Sequence, residues 1–222
     1  MNGLKMRNKM IFFIPIKHVS QRVPNKNFRI FCNEPLYKHT LLKLKNHIVF
    51  VDTDSKEIIN EISKDPRMKH VSVYKRNSLL VGNRISVCDL IKDFVTRFDI
   101  KESITQIHIT SPFLEIETLE KAYSKLKVHD SVVSCNEIRS RLWRKEQYGF
   151  CPVNHNPLKM EQTQDLPCLY EENSAFYMFY PDTIKTTGNR IGKNPKFYKI
   201  NYPENLDIDT EEDWQIAMEA IK

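Results

Sequence analysis

The stretch MIFFIPI at Met10 to Ile16, followed at once by KHVSQRVPNKNFR at Lys17 to Arg29, decides the fold. The apolar run, rich in β-branched and aromatic residues, reads as a strand. The polar segment behind it falls where an open α/β sheet meets its ligand, beyond the carboxyl end of a strand. That loop carries the cations Lys17, Arg22, Lys26 and Arg29, with Ser20, Gln21, Asn25 and Asn27 as further hydrogen-bonding groups. Such a set can neutralise and orient a triphosphate, although a solvated basic loop would show the same charge pattern. It is neither a Walker A nor a GxGxxG loop, since the chain has five glycines and none between Gly3 and Gly82.

Outward from this junction, short strand-like runs alternate with amphipathic stretches. Strands are expected at 10–16, 47–53, 70–74, 104–109, 130–135, 175–180 and 197–202, and helices at 36–44, 55–63, 86–98, 116–126 and 210–221. This alternation is that of an α/β protein, with a mostly parallel central sheet flanked by helices. Residues 136–172 break it, being polar, rich in Arg, Asn, Pro and Gln, and too long for an ordinary connection. They are expected to contact substrate or to form a dimer arm on a single domain spanning residues 1–222.

The chain has 222 residues, of which 41% are hydrophobic, enough to bury a core. Its formal charge of +6 favours anionic partners. The basic residues are dispersed, without the patterns of nucleic-acid-binding modules, so no nucleic-acid partner is expected. The apolar run at 10–16 is far shorter than the roughly 18–20 residues of a membrane span and leads into Lys17 without a cleavage-type segment. The expectation is a soluble cytoplasmic protein without a membrane partner. Cys32, Cys88, Cys135, Cys151 and Cys168 show neither zinc spacing nor a disulfide framework.

Among possible metal ligands, Asp207 and Asp209 stand out, because alternate residues of an extended segment share a face. Hard carboxylate oxygens suit Mg²⁺. Capping of the last helix by Asp209 or Thr210, with Glu211 to Asp213 in its first turn, is the structural alternative, and the two are compatible. Asp52 and Asp54 form a second such pair, read here chiefly as capping by Thr53 or Asp54 of the helix that begins near Ser55. His108 ends a strand just before Thr110-Ser111-Pro112; it is read either as a structural residue or as a substrate contact. Arg139, Arg141 and Arg144 could clamp a carboxylate or phosphate, or form a solvated or interface cluster.

Several segments in order carry a family resemblance. Ile14-Pro15 followed by Ser20-x-Arg22-Val23-Pro24-x-Lys26-Asn27 resembles the opening motif of acylneuraminate cytidylyltransferases, the CMP-sialic-acid synthetases. Val51 to Asp54, the segment from Arg76 through Gly82 to Ser86, Thr110 to Phe113 and Asp130 to Ser134 resemble successive family elements. So do Gln164 to Pro167, Glu172 to Tyr177 and Leu206 to Asp213.

The resemblance implies a Rossmann-like nucleotidyltransferase fold and transfer of CMP from CTP to an acidic sugar, a sialic, other nonulosonic or 3-deoxy-2-keto sugar acid, with release of pyrophosphate. It implies Lys17, Ser20, Gln21, Arg22, Lys26, Asn27, Arg76 and Ser86 at the nucleotide, with Arg22, Lys26 and Asp209 catalytic. Asp207 and Asp209 would hold Mg²⁺. His108, Arg144, Gln164, Glu172 and Asn173 would meet the acceptor, and the middle insertion would reach the partner of a homodimer.

This chain departs from the pattern in places. The first-loop glycines are His18 and Val19, GDxAS is Gly82-Asn83-Arg84-Ile85-Ser86, and the glycine of the VENG element is Ser174. These changes keep two alternatives in view: a nucleotidyltransferase with another acceptor such as a phosphonate, and a catalytically inactive nucleotide-binding paralogue.

Overall fold

The computed structural model describes residues 10–221 apart from Gln21. In chain order it comprises β1 (Ile11–Ile16), β2 (Ile30–Phe31), β3 (Glu34–Pro35), α1 (Leu36–Lys43), β4 (Ile48–Thr53), α2 (Lys56–Lys64), β5 (Val71–Lys75), α3 (Val87–Phe98), β6 (Ile104–Ile107) and α4 (Ile116–Tyr123). Then come β7 (Ser131–Ile138), β8 (Trp143–Glu146), β9 (Gly149–Pro152), β10 (Leu169–Phe179), α5 (Pro181–Thr187), β11 (Pro195–Lys199) and α6 (Glu211–Ala220).

Seven strands form one sheet in the order β11-β7-β10-β6-β1-β4-β5. Its pairings are parallel except for β10, which runs against both β6 and β7. The expected mostly parallel sheet is therefore present. Strand β1 lies inside it, and its alternation sorts its side chains to two cores. Phe12, Ile14 and Ile16 face α1, α2 and α4 through Tyr37, Leu41, Ile58, Ile62, Leu119 and Ala122. On the other face Ile11 and Phe13 meet Leu90, Ile91, Phe94 and Val95 of α3 and Ile184 of α5. Phe13 and Phe94 stack with ring centroids 4.7 Å apart. Burial of both faces explains why this strand reads as a continuous apolar run, and truncating such a ring costs about 3–5 kcal/mol.

A third, smaller core docks α6 beside the first loop. Trp214 and Ala217 pack on Phe31, Leu36 and Ile208. Arg29 lies 4.1 Å over the Trp214 ring and pairs with Glu211 at 2.7 Å. This contact fixes the segment before α6 against the loop after β1.

The stretch at 136–172 is neither a plain loop nor a separate unit. Strand β7 continues to Ile138, and β10 begins early enough for Leu169 to pair with Ile138. Between them project the β8–β9 hairpin and a short helical turn at Thr163–Asp165. Tyr148 and Phe150 of the hairpin are exposed, as are Leu158 and Met160 between it and the turn.

Candidate functional site at the carboxyl ends of the strands

The parallel strands end on a cleft of about 440 Å³, lined from the first loop by Lys17, Ser20, Arg22, Lys26 and Asn27. Arg76, Asn83, Ile85, His108, Thr110, Ser174, Asp207 and Asp209 complete most of the wall.

The first loop is held at both ends. The His18 N–H donates to Asp54 Oδ1 at 2.7 Å, and the Asn27 amide donates to the Lys17 carbonyl at 2.6 Å. Asn25 turns the chain in the left-handed region at φ 52°, which asparagine tolerates better than most residues, and the helical turn Lys26–Phe28 comes next. That turn buries Lys26, which donates to the Ile208 carbonyl and lies 3.5 Å from Asp209 Oδ1. Arg22, largely exposed, reaches the same oxygen at 2.7 Å. Gln21 lies outside the described residues.

Asp209 is free for these cations because capping falls elsewhere. Thr210 caps α6, accepting from the Asp213 N–H while the Asp213 carboxylate accepts from the Thr210 N–H. Asp207 is more enclosed. Its Oδ1 is buried with no hydrogen-bond partner among the described residues, and burial pushes its carboxyl above the usual range, opposed by a Thr110 hydrogen bond to the carboxyl and reinforced by the Asp209 charge. An orphaned carboxylate oxygen in a cleft also lined by Asp209 fits a hard divalent cation, which would relieve the desolvation. Among the described residues no group of three or more His, Cys, Asp or Glu side chains forms a metal cage. A cation here would complete its shell with oxygens from water, backbone or a bound ligand.

Arg76 and Asp52 form a fully buried ion pair, and Arg76 also donates to the carbonyls of Ile16 and Asp52 at 3.4 and 3.2 Å. Burial pushes the Asp52 carboxyl up while Arg76 draws it back. The pair ties the ends of β1, β4 and β5 together beneath the cleft. Ser86 is exposed and caps α3, accepting from the Asp89 N–H at 3.2 Å, while its neighbours Ile85 and Val87 face the cleft. Capping of α2 differs from expectation. Ser55 is the cap, Thr53 accepts from the Ser55 N–H, and Asp54 holds the first loop.

On the opposite wall His108 is partly buried with Nε2 2.9 Å from Gln106 Nε2. Burial, and then the Arg190 charge, lowers its pKa to about 4. Ser174 sits at φ 61° within a register shift between β10 and β7. Asn173 donates to Asn136 at 3.0 Å, and Glu172 accepts from the Tyr177 hydroxyl at 2.8 Å; both flank the cleft without lining it. Arg144, paired with Glu146, and Gln164, in the turn at Thr163–Asp165, lie out on the arm. Asn83, Thr110, Ser174, Gln106 and Arg190 were not singled out as site residues by sequence. Asn83, Thr110 and Ser174 lay within the segments that resemble the family, Gln106 was marked only by its place two residues before His108, and Arg190 left no signal.

A doubly flanked, mostly parallel sheet with a cationic loop and paired carboxylates beyond its strand ends places the protein in the Rossmann-like α/β class. Residues 11–222 match the sequence profile of the cytidylyltransferases, and the chain belongs to that family. It is 25% identical over 219 residues to N-acylneuraminate cytidylyltransferase of Streptococcus agalactiae serotype V, covering 93% of this chain and 52% of that protein. The chain thus spans about half the length of that relative. It is 27% identical over 232 residues to CMP-N,N'-diacetyllegionaminic acid synthase of Legionella pneumophila, covering 96% and 97% of the two. The fold is shared with CMP:2-keto-3-deoxy-manno-octonic acid synthetase complexed with CTP, at a TM-score of 0.66 and 12% identity over 96% of this chain and 98% of that one.

Proposed function

We propose that this protein transfers CMP from CTP to the anomeric hydroxyl of an acidic sugar and releases pyrophosphate. The observation that carries the reading is the meeting of the Lys17 to Asn27 loop with Asp207 and Asp209 at one edge of the sheet, where a buried Asp207 oxygen has no partner among the described residues. Family membership supports the nucleotide half. The names of the streptococcal and Legionella relatives, both referring to acidic sugars, support the acceptor half.

In this reading Lys17, Arg22 and Lys26 neutralise the triphosphate, and Ser20, Gln21 and Asn27 orient it with the nucleoside. Arg76 holds the strand ends beneath it, and Ser86 sets the start of α3 beside it. Asp207 and Asp209 would hold Mg²⁺, which supplies charge neutralisation at the reacting phosphate and its leaving group. The sugar hydroxyl oxygen attacks the α-phosphorus as pyrophosphate departs, a displacement that depends on positioning and charge rather than on a covalent protein intermediate. His108, Glu172 and Asn173 flank the acceptor side.

The proposal extends to a homodimer of one-domain subunits in the cytoplasm, joined through residues 136–172. Supporting it, Tyr148, Leu158 and Met160 are each more than nine-tenths exposed on that arm, at 93%, 96% and 91%, apolar surface that a partner subunit would cover. Arg144 and Gln164 on the arm would then serve the partner's acceptor site. The described cysteines are free, as in a reducing compartment, and no helix among the described residues is long and apolar enough to cross a membrane.

The test is pyrophosphate release from CTP and Mg²⁺ against a panel of acidic sugars, with product masses. Turnover with a sugar acid is the expected result. Turnover only with other acceptors such as a phosphonate, or CTP binding without turnover, would overturn it.

A further inference from the structure

Gln106, His108, Tyr177 and Arg190 form a connected set on the acceptor wall. Gln106 lies in β6, and His108 follows one residue beyond the end of that strand. Gln106 is fully buried, and Tyr177 lies directly across from it on β10. Arg190, in the turn after α5, lays its guanidinium over the Tyr177 ring at 3.4 Å and donates from Nη1 to Gln106 Oε1. The Tyr177 hydroxyl donates onward to Glu172. The far end of the Gln106 amide meets His108 Nε2 at 2.9 Å.

Arg190 sets the direction of each proton. A guanidinium only donates, so the amide atom facing it is the oxygen and the other end of Gln106 is the NH₂ group. That group donates, so His108 Nε2 must accept and carries no proton. A neutral ring then keeps its proton on Nδ1. An imidazolium would set N–H against N–H at this contact. The charged groups around the ring act mostly the same way: Arg190 and Lys26 oppose its protonation and Asp209 favours it.

We infer that Arg190, acting through Gln106, is a positioning residue that locks His108 in the neutral Nδ1–H tautomer, so that the acceptor wall presents a fixed donor to an oxygen of the acceptor. Its service to an acceptor sugar rests on the proposed cytidylyl transfer, whereas the tautomer does not.

Long-range ¹H–¹⁵N correlation spectra of the full chain with ¹⁵N-labelled histidines read the tautomer directly, with His108 assigned through His108→Gln. The wild-type protein is expected to show protonated Nδ1 and bare Nε2 at His108. Arg190→Lys, still only a donor, keeps that pattern, while Arg190→Met frees the Gln106 amide to turn and admits the Nε2–H form. A wild-type ring protonated at Nε2 would overturn the inference without any variant. So would an Arg190→Met spectrum identical to wild type. Gln106→Glu gives a second reading, because a carboxylate accepts from both neighbours and should place a proton on Nε2.

Once turnover is established, Arg190→Met should raise the acceptor KM by about tenfold, the order of one hydrogen bond, with the CTP KM unchanged. Equal changes in both would remove the residue from the acceptor side. Complete absence of cytidylyl transfer would sink the proposed function and leave the spectral result standing.

Discussion

Arg22 Nη2 lies 2.7 Å from Asp209 Oδ1, across 187 residues of sequence. The contact joins the loop after β1 to the segment before α6, and it means that a cation proposed for Asp209 competes with Arg22 and Lys26 for one oxygen. Asp209→Asn should cut Mg²⁺-dependent turnover by at least about a hundredfold, as loss of a charge that stabilises a transition state does. The fold should barely change, since the pair with Arg22 is exposed and contributes about 0–1 kcal/mol, while buried Lys26 keeps its bond to the Ile208 carbonyl. Pyrophosphate release across an Mg²⁺ titration decides it; wild-type rates with the same Mg²⁺ requirement would remove Asp209 from the machinery.

Arg76 and Asp52 predict the opposite balance. Arg76→Met strands a buried carboxylate, and stability should fall by about 3–5 kcal/mol in urea unfolding. Asp52→Asn in the same background should recover part of that loss, because the remaining partner is then neutral. A single variant within 1 kcal/mol of wild type, on the scale of about that expected for surface changes, would contradict the buried pairing.

The histidine on the opposite wall gives a pH dependence. Burial first and Arg190 second depress His108 from its ordinary 6.5 to about 4. Between those values the unfolded chain binds a proton that the native ring refuses. The contribution to stability is therefore complete above 6.5 and lost as pH falls toward 4. Going from about pH 7 to about pH 5, wild type should lose about 1–2 kcal/mol more than His108→Gln. Equal losses in denaturant titrations of the two proteins would refute it.

The arm predicts an oligomeric state. Replacing Tyr148 and Leu158 together by glutamate should leave a folded monomer, because charge placed in the proposed interface opposes association. Light scattering after size exclusion reports the mass; an unaltered dimer, or a wild-type monomer, would place the contact elsewhere or nowhere.

Ser174 occupies a left-handed conformation at φ 61°, at the position where the resembling family carries glycine. Ser174→Gly relieves that strain at the expense of chain entropy, and stability should rise by about 0.5 kcal/mol. A fall in melting temperature would show that the serine side chain contributes more than its backbone costs.

What the sequence revealed and what it hid have physical causes. Strands β1 and β4 and helices α2 and α3 were legible because their apolar spacing matches the faces they bury. The first half of β10 was read as part of the polar insertion because Tyr170-Glu171-Glu172-Asn173 carries no apolar alternation, and its backbone pairing with β7 leaves no mark on residue type. Helix α5 went unread because it is short and threonine-rich, set by Pro181 at its start and the buried Ile184. In the site, charge spacing pointed to the loop and to Asp207 and Asp209. It could not show that Asp52 takes up the charge of Arg76, nor that Arg190 would arrive beside Gln106 from 84 residues away.

Strand β10 enters the sheet from the edge at which its parallel neighbours finish, so residues 136–172 leave and return at the mouth of the cleft, clamped where Ile138 pairs with Leu169. Between those anchors the chain can lengthen or be rewritten cheaply, since each doubling of a closed loop costs only about 0.6 kcal/mol. The sheet and the cationic loop are insulated from such edits. A change in the length or composition of this segment would therefore reshape the mouth of the cleft without repacking the sheet beneath it.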